Sequence, residues 1–164
     1  MQQQLDSSQS EARSQLIDLL KGGNAHVSLQ VAVRDLKPEN RTLRPYDLPY
    51  SIWALVSHIR ITQWDNLEFS RDPTHISPKW PKGYWPQQQE TVTDTEWDDG
   101  LKSIFADRRE FLGLIENEEN DLFKPFPQGE GQNLFHEAFL IADHTAYHTG
   151  EIVLLRRLLN DWNP

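Results

Sequence analysis

The run from Asn133 to Asn160 sets the terms for the rest of the chain. Its interior positions fall at Leu134, Ala138, Ile141, Thr145, His148, Ile152, Leu155 and Leu159, in steps that alternate between four and three. That rhythm is a helix of about 40 Å with one seam turned toward other helices. A neighbouring row holds Leu140, His144, Tyr147, Glu151, Leu154 and Leu158. His148 therefore stands on the core line and His144 beside it, four residues apart on one face. Two imidazoles so placed either take two positions of one metal ion or are both ordinary core residues.

A helix with a buried seam needs partners, and the remaining sequence supplies them. Residues 1–9 read as a flexible tail, and a short extra helix follows from Ser10, stopped by Gly22-Gly23. From Ala25 to Leu36, Val27, Leu29, Val31 and Val33 alternate as in a strand. No second segment offers itself as a partner strand, and a lone strand leaves its backbone unpaired, so a helix is expected there. A long helix is expected from about Tyr50 to Arg71, ending before Asp72-Pro73. Residues 72–93 form a long Pro/aromatic loop holding Trp80, Tyr84 and Trp85. Thr93 or Thr95 caps the next helix, whose stripe is Trp97, Leu101, Ile104, Arg108, Phe111 and Ile115. Several helices with no strand pack as an all-α four-helix bundle, with residues 10–164 as a single domain.

Composition closes off several function classes. The net charge is 16 − 25 = −9, which disfavours nucleic acid and anionic membrane as partners. No segment has the apolar length of a membrane span. There is no Cys, which removes disulfides, thiolate metal sites and a cysteine nucleophile, and fits a cytoplasmic location.

A third imidazole, His58, borders the apolar face formed by Ile52, Leu55, Val56 and Ile59. Two histidines from one helix and one from another give three nitrogen ligands and leave positions open for water or substrate. Rival metal motifs fail at named positions. His136-Glu137 begins an H-E-x-x-H match, but residue 140 is Leu. A di-iron carboxylate bundle needs E-x-x-H pairs. The residues three before His58, His136, His144 and His148 are Leu55, Asn133, Ile141 and Thr145.

Two blocks carry a family resemblance. Ser51-Ile52-Trp53 through Val56-Ser57-His58-Ile59 is one. Asp143-His144-Thr145-Ala146-Tyr147-His148-Thr149-Gly150-Glu151-Ile152, running on to Leu155-Arg156-Arg157, is the other. From about residue 10 to 162 the chain resembles the DinB-like (DinB/YfiT) metal-binding four-helix bundles. The resemblance implies a divalent transition metal (zinc, nickel or iron) on His58, His144 and His148. It also implies a small-molecule substrate for a metal-dependent transferase or hydrolase, with a low-molecular-weight thiol as cosubstrate of the transferase, and a homodimer. Other members of the family have no known activity, so a metal-binding stress or interaction protein without turnover is the alternative.

Further residues have two readings each. Arg108, on an interior stripe, is a clamp for an anionic group or a structural partner of an acid such as Glu151. Glu151, one turn after His148, is an acceptor behind a ligand, a general base, or half of an internal ion pair. Tyr147 is a pocket hydrogen-bond donor or a core tyrosine. Trp80, Tyr84 and Trp85 form an aromatic lid or a satellite core. Arg156-Arg157 complements the helix dipole. His26, His75 and His136 lie off the expected site.

Overall fold

In the computed structural model, which describes residues 2–163 with side chains from residue 9 onward, five α-helices follow one another. They are α1 (Gln2–Lys21), α2 (Leu29–Val33), α3 (Ile52–Arg71), α4 (Asp94–Glu116) and α5 (Leu134–Leu158). Two single 3-10 turns, Pro38–Asn40 and Pro45–Asp47, lie between α2 and α3. There is no strand among the described residues, as an all-helical chain requires.

Each helix end has a local cause. The side chains of Ser28, Ser51, Thr93 and Asn133 accept the backbone N–H of Val31, Ala54, Glu96 and His136, opening α2, α3, α4 and α5. Glu96 reaches back to the N–H of Thr93, which completes a capping box. Gly22 and Gly23 end α1 at φ of 72° and 82°, a left-handed turn that suits glycine.

Two element boundaries differ from the sequence expectation. The backbone is helical from Gln2, so α1 takes in most of the stretch expected as a tail; Met1 lies outside the described residues. No Gly or Pro interrupts Gln2–Lys21, and Gln, Leu and Ala favour helix. Nor is α1 short: over 20 residues it packs on α4 and α5. Arg13 fastens it there by donating to the carbonyls of Ile115, Asn117 (3.0 Å) and Asn120, at the end of α4. The helix expected over Ala25–Leu36 shrinks to Leu29–Val33, because Arg34 is extended and Asp35 is left-handed at φ 55°. Its alternating valines had signalled that the stretch is not a regular helix throughout.

The bundle is thus α1, α3, α4 and α5, with α3 packed on α4 and α5 and with α2 laid against α5. The buried residues fall into two apolar clusters. One holds Leu29, Val33, Ile52, Val56, Ile59, Ile104, Ile152 and Leu155. The other holds Leu16, Leu20, Leu67, Phe111, Ile115, Leu134 and Ile141. A polar layer lies between them in all three long helices. Buried Gln63 of α3 donates to the Ile104 carbonyl and accepts from Arg108 of α4, which also donates to Thr145 of α5. No helix among the described residues is long and apolar enough to cross a membrane.

Candidate metal centre

The capped start of α3 buries Ile52, Leu55, Val56 and Ile59, and the same turns carry His58 inward to 2 % exposure. On α5 the four-residue spacing places His144 and His148 one above the other, opposite His58. The ring centroids of the three imidazoles are 4.5–4.8 Å apart, and one nitrogen from each lies within 4.8 Å of the others. The structure brings together the three residues singled out in the sequence.

The outer nitrogens fix how the inner ones are presented. His58 Nδ1 is 2.7 Å from the carbonyl oxygen of Tyr84. A carbonyl only accepts, so Nδ1 carries the proton and Nε2 keeps its lone pair. His148 Nδ1 is 2.6 Å from Glu151 Oε2, with the same consequence. Glu151 is held in turn by Tyr50, whose hydroxyl donates to Oε1 at 2.6 Å. A metal-ligating imidazole characteristically has its second nitrogen bound to a carbonyl or carboxylate in this way.

His58 Nε2 and His144 Nε2 are 3.0 Å apart. Two lone pairs at that distance repel unless a proton or a cation lies between them. Two nitrogens on one tetrahedral zinc stand about 3.3 Å apart, so the donor set fits an ion with little movement. Burial, then the nearby His148 and His58, push the His144 imidazole down to about 3. His58 is also lowered, chiefly by burial. Both are neutral at pH 7, the state in which imidazole binds metal. The bond to Glu151 and burial raise the Tyr50 phenol to about 12, so it remains a donor.

The Pro/aromatic loop closes one side. The Trp85 ring lies flat on His58, with centroids 3.9 Å apart and planes 8° from parallel, and Tyr50 stacks against Trp85 with centroids 5.9 Å apart. Tyr84 supplies the carbonyl that holds His58, and its hydroxyl donates to buried Asp65 at 2.5 Å. His75 Nε2 reaches the second oxygen of Asp65 at 2.7 Å. Trp80 is 73 % exposed, with its ring tilted against Tyr84 and no aromatic contact to the imidazoles, so it is no part of the cover. Beside Tyr50 and Trp85 opens a cleft of about 450 Å³, also lined by Arg44, Ser51, Trp53 and Ala54.

Several expectations are corrected. Arg108 pairs with neutral Gln63 and Thr145, not with Glu151, which already serves His148 and Tyr50. Tyr147 is 65 % exposed with its ring against His148, so it is not a core tyrosine. Arg156 is buried and donates to the carbonyls of Ala32, Arg34 and Asp161, a tighter role than complementing a helix dipole. His75 is linked to His58 by three hydrogen bonds, through Asp65 and then the hydroxyl and carbonyl of Tyr84, whereas His26 and His136 are exposed.

Sequence reasoning passed over Tyr50, Gln63, Asp65 and Glu137. Gln63 had a signal, because it continues the steps 52, 56, 59, 63 along the buried face. Tyr50 precedes the cap of α3, and its link to Glu151 spans 101 positions, which no local pattern reveals.

Residues 24–152 match a family model described as the DinB superfamily. Searches of curated proteins and of solved structures returned no match. The matched region runs from the loop before α2 to the last part of α5 and contains all three imidazoles. With that match over most of its length, this helical chain belongs to the DinB superfamily.

Proposed function

We propose that the protein is a metal-dependent transferase that joins a low-molecular-weight thiol to a small-molecule acceptor, with His58, His144 and His148 holding one divalent transition metal: zinc, nickel or iron. The observation that carries this reading is the fixing of two Nδ1 hydrogens, on His58 by the Tyr84 carbonyl and on His148 by Glu151, which leaves both Nε2 lone pairs for a cation. A bound metal lowers the pKa of a thiol or water beside it, making a nucleophile at neutral pH.

The chain's own residues do the rest. Glu151 orients His148 and accepts the Tyr50 hydrogen bond, which holds the carboxylate in place. None of the three imidazoles lines the cleft beside Tyr50 and Trp85; it receives the body of the thiol while the sulfur reaches past the Trp85 ring, and Arg44 among its lining offers a positive charge to an anionic group. Tyr147, exposed beside His148, contacts the acceptor. A reducing cytoplasm keeps such thiols available. The exposed row on α5 supports a homodimer.

One observation favours a second reading, metal retention without turnover: Trp85 lies flat on His58 and shields that side of the site. Two measurements separate the readings. Elemental analysis of purified protein is expected to give about one divalent metal per chain, lost in His144→Ala plus His148→Ala. A metal-free wild type, or an undiminished content in the double variant, sinks the site. A thiol-consumption screen against a panel of electrophiles is expected to show turnover that chelator abolishes. Metal bound with no chelator-sensitive turnover leaves the second reading.

A further inference from the structure

A cavity of about 270 Å³ lies between the end of α1, α2, α4 and α5. On α5 it is lined by Ala142, Thr145, Ala146 and Thr149, the face turned away from His144 and His148. None of the three imidazoles lines it. Its walls are apolar, with Leu20, Leu29 and Phe139 contributing from three elements, yet Arg108 also lines it.

That arginine is the anomaly. An inward-facing guanidinium is ordinarily matched by a carboxylate, because its charge is costly away from water. Arg108 has only the neutral Gln63 Oε1, at 3.1 Å from Nε and 2.9 Å from Nη2, and Thr145 Oγ1 at 3.2 Å. No carboxylate lies within 4.0 Å of it, and Nη1 has no acceptor among the described residues. Burial penalises the charged form, but an arginine keeps its proton. Arg108 is half-buried and no ion pair among the described residues neutralises its charge, while the half-open pocket beside it exposes mostly apolar surface.

We propose that this cavity binds a small apolar monocarboxylate, its carboxylate on the Arg108 guanidinium and its hydrocarbon against Leu20, Leu29, Phe139 and Ala146. The volume is that of about nine waters in the liquid, which a chain of about eight carbons displaces. Asp143 also lines the cavity and forms no ion pair among the described residues. Its negative charge adds repulsion for each further charge on the ligand, which favours a single carboxylate over a dicarboxylate or a phosphate. The site does not depend on the metal reading, since no metal-binding residue lines it.

The test is calorimetric titration of the full chain with octanoate, compared with octan-1-ol, on protein stripped of metal and on protein loaded with zinc. Wild type is expected to bind octanoate at least about tenfold more tightly than octan-1-ol, equally in both preparations. Arg108→Gln is expected to weaken octanoate at least about tenfold. Should that variant unfold, Ala146→Leu fills the cavity while leaving Arg108 in place, and is expected to weaken octanoate as much. The proposal is overturned by no octanoate binding to folded wild type at about 10 mM, by unchanged binding in a folded Arg108→Gln, or by unchanged binding in Ala146→Leu. Binding that requires zinc places the ligand at the histidines and also overturns it.

Discussion

Glu137 is 3 % exposed and forms no ion pair among the described residues. Burial, then the charge of Asp65, raise its carboxyl to about 7. An acid whose pKa is raised by folding binds its proton more tightly in the folded state. Its contribution to stability is therefore full below the ordinary value of 4.5 and is lost as pH rises toward 7. The shift corresponds to about 3 kcal/mol at most. Glu137→Gln imitates the protonated form, so it is expected to match wild type at pH 5 and to be more stable by about 2 kcal/mol at pH 8, read from urea denaturation at both values. His144 works in the opposite sense. Its lowered pKa keeps it neutral in the fold while the unfolded chain takes up a proton below about 6.5, so that contribution is present above 6.5 and lost as pH falls. Between pH 4.5 and 6.5 the two trends oppose and nearly cancel, so the metal-free protein is expected to show a stability plateau there and to lose stability above and below it. Glu151 has a different job at the same scale. Replacing it with Gln removes the charged acceptor of His148 Nδ1, and zinc affinity is expected to fall about 10- to 100-fold. Competition with a chromogenic chelator at pH 7.5 measures this, and unchanged affinity would show that Glu151 does not tune the ligand.

At the scale of elements, the long helices were readable because their patterns run for many turns and end at caps or prolines. The stripe of α4 is a good instance: Trp97, Ile104, Phe111 and Ile115 are all buried as its steps of four and three require. The segment around α2 was harder to read because its shape is decided from a distance. Arg156 of α5 donates to the carbonyls of Ala32 and Arg34, both at 2.8 Å, just where the helix stops. It also donates to the Asp161 carbonyl at 2.7 Å, while the Asp161 carboxylate accepts from the Lys37 backbone and from Asn40. These contacts satisfy the carbonyls that a longer helix would have paired internally. Arg156→Met keeps most of the apolar length of the side chain but leaves two buried carbonyls and one part-buried carbonyl without their donor. It is expected to cost about 3–5 kcal/mol, read from the urea midpoint. A loss under about 1 kcal/mol would mean that water replaces the guanidinium there.

For the molecule as a whole, the metal-site trio was legible because two of its members share one helix and the third borders an apolar face. The surroundings were not, since Tyr84, Trp85 and Tyr50 reach the imidazoles from segments with no periodicity. The polar layer of Gln63, Arg108 and Thr145 was half visible: each falls on a buried stripe, but only the fold shows that the three meet. One surface of the assembled bundle stays without a partner. Leu140, Leu154 and Leu158 are exposed on α5, flanking the His144, Tyr147 and Glu151 positions of the same row, with Leu154 54 % exposed. Leu140 and Leu154 are fourteen residues apart, two heptads, a register by which two helices lie along one another. Exposed leucines gathered on one helix face mark an interaction surface. Two copies meeting along it in antiparallel fashion bury it symmetrically, as a two-fold interface does. The chain is accordingly expected to sediment as a dimer at tens of micromolar, and Leu154→Glu to sediment as a monomer with its helical circular dichroism intact. Leu154 is not one of the three imidazoles, so the variant is expected to keep its zinc. A wild type that stays monomeric at that concentration would remove the dimer and leave the metal centre untouched.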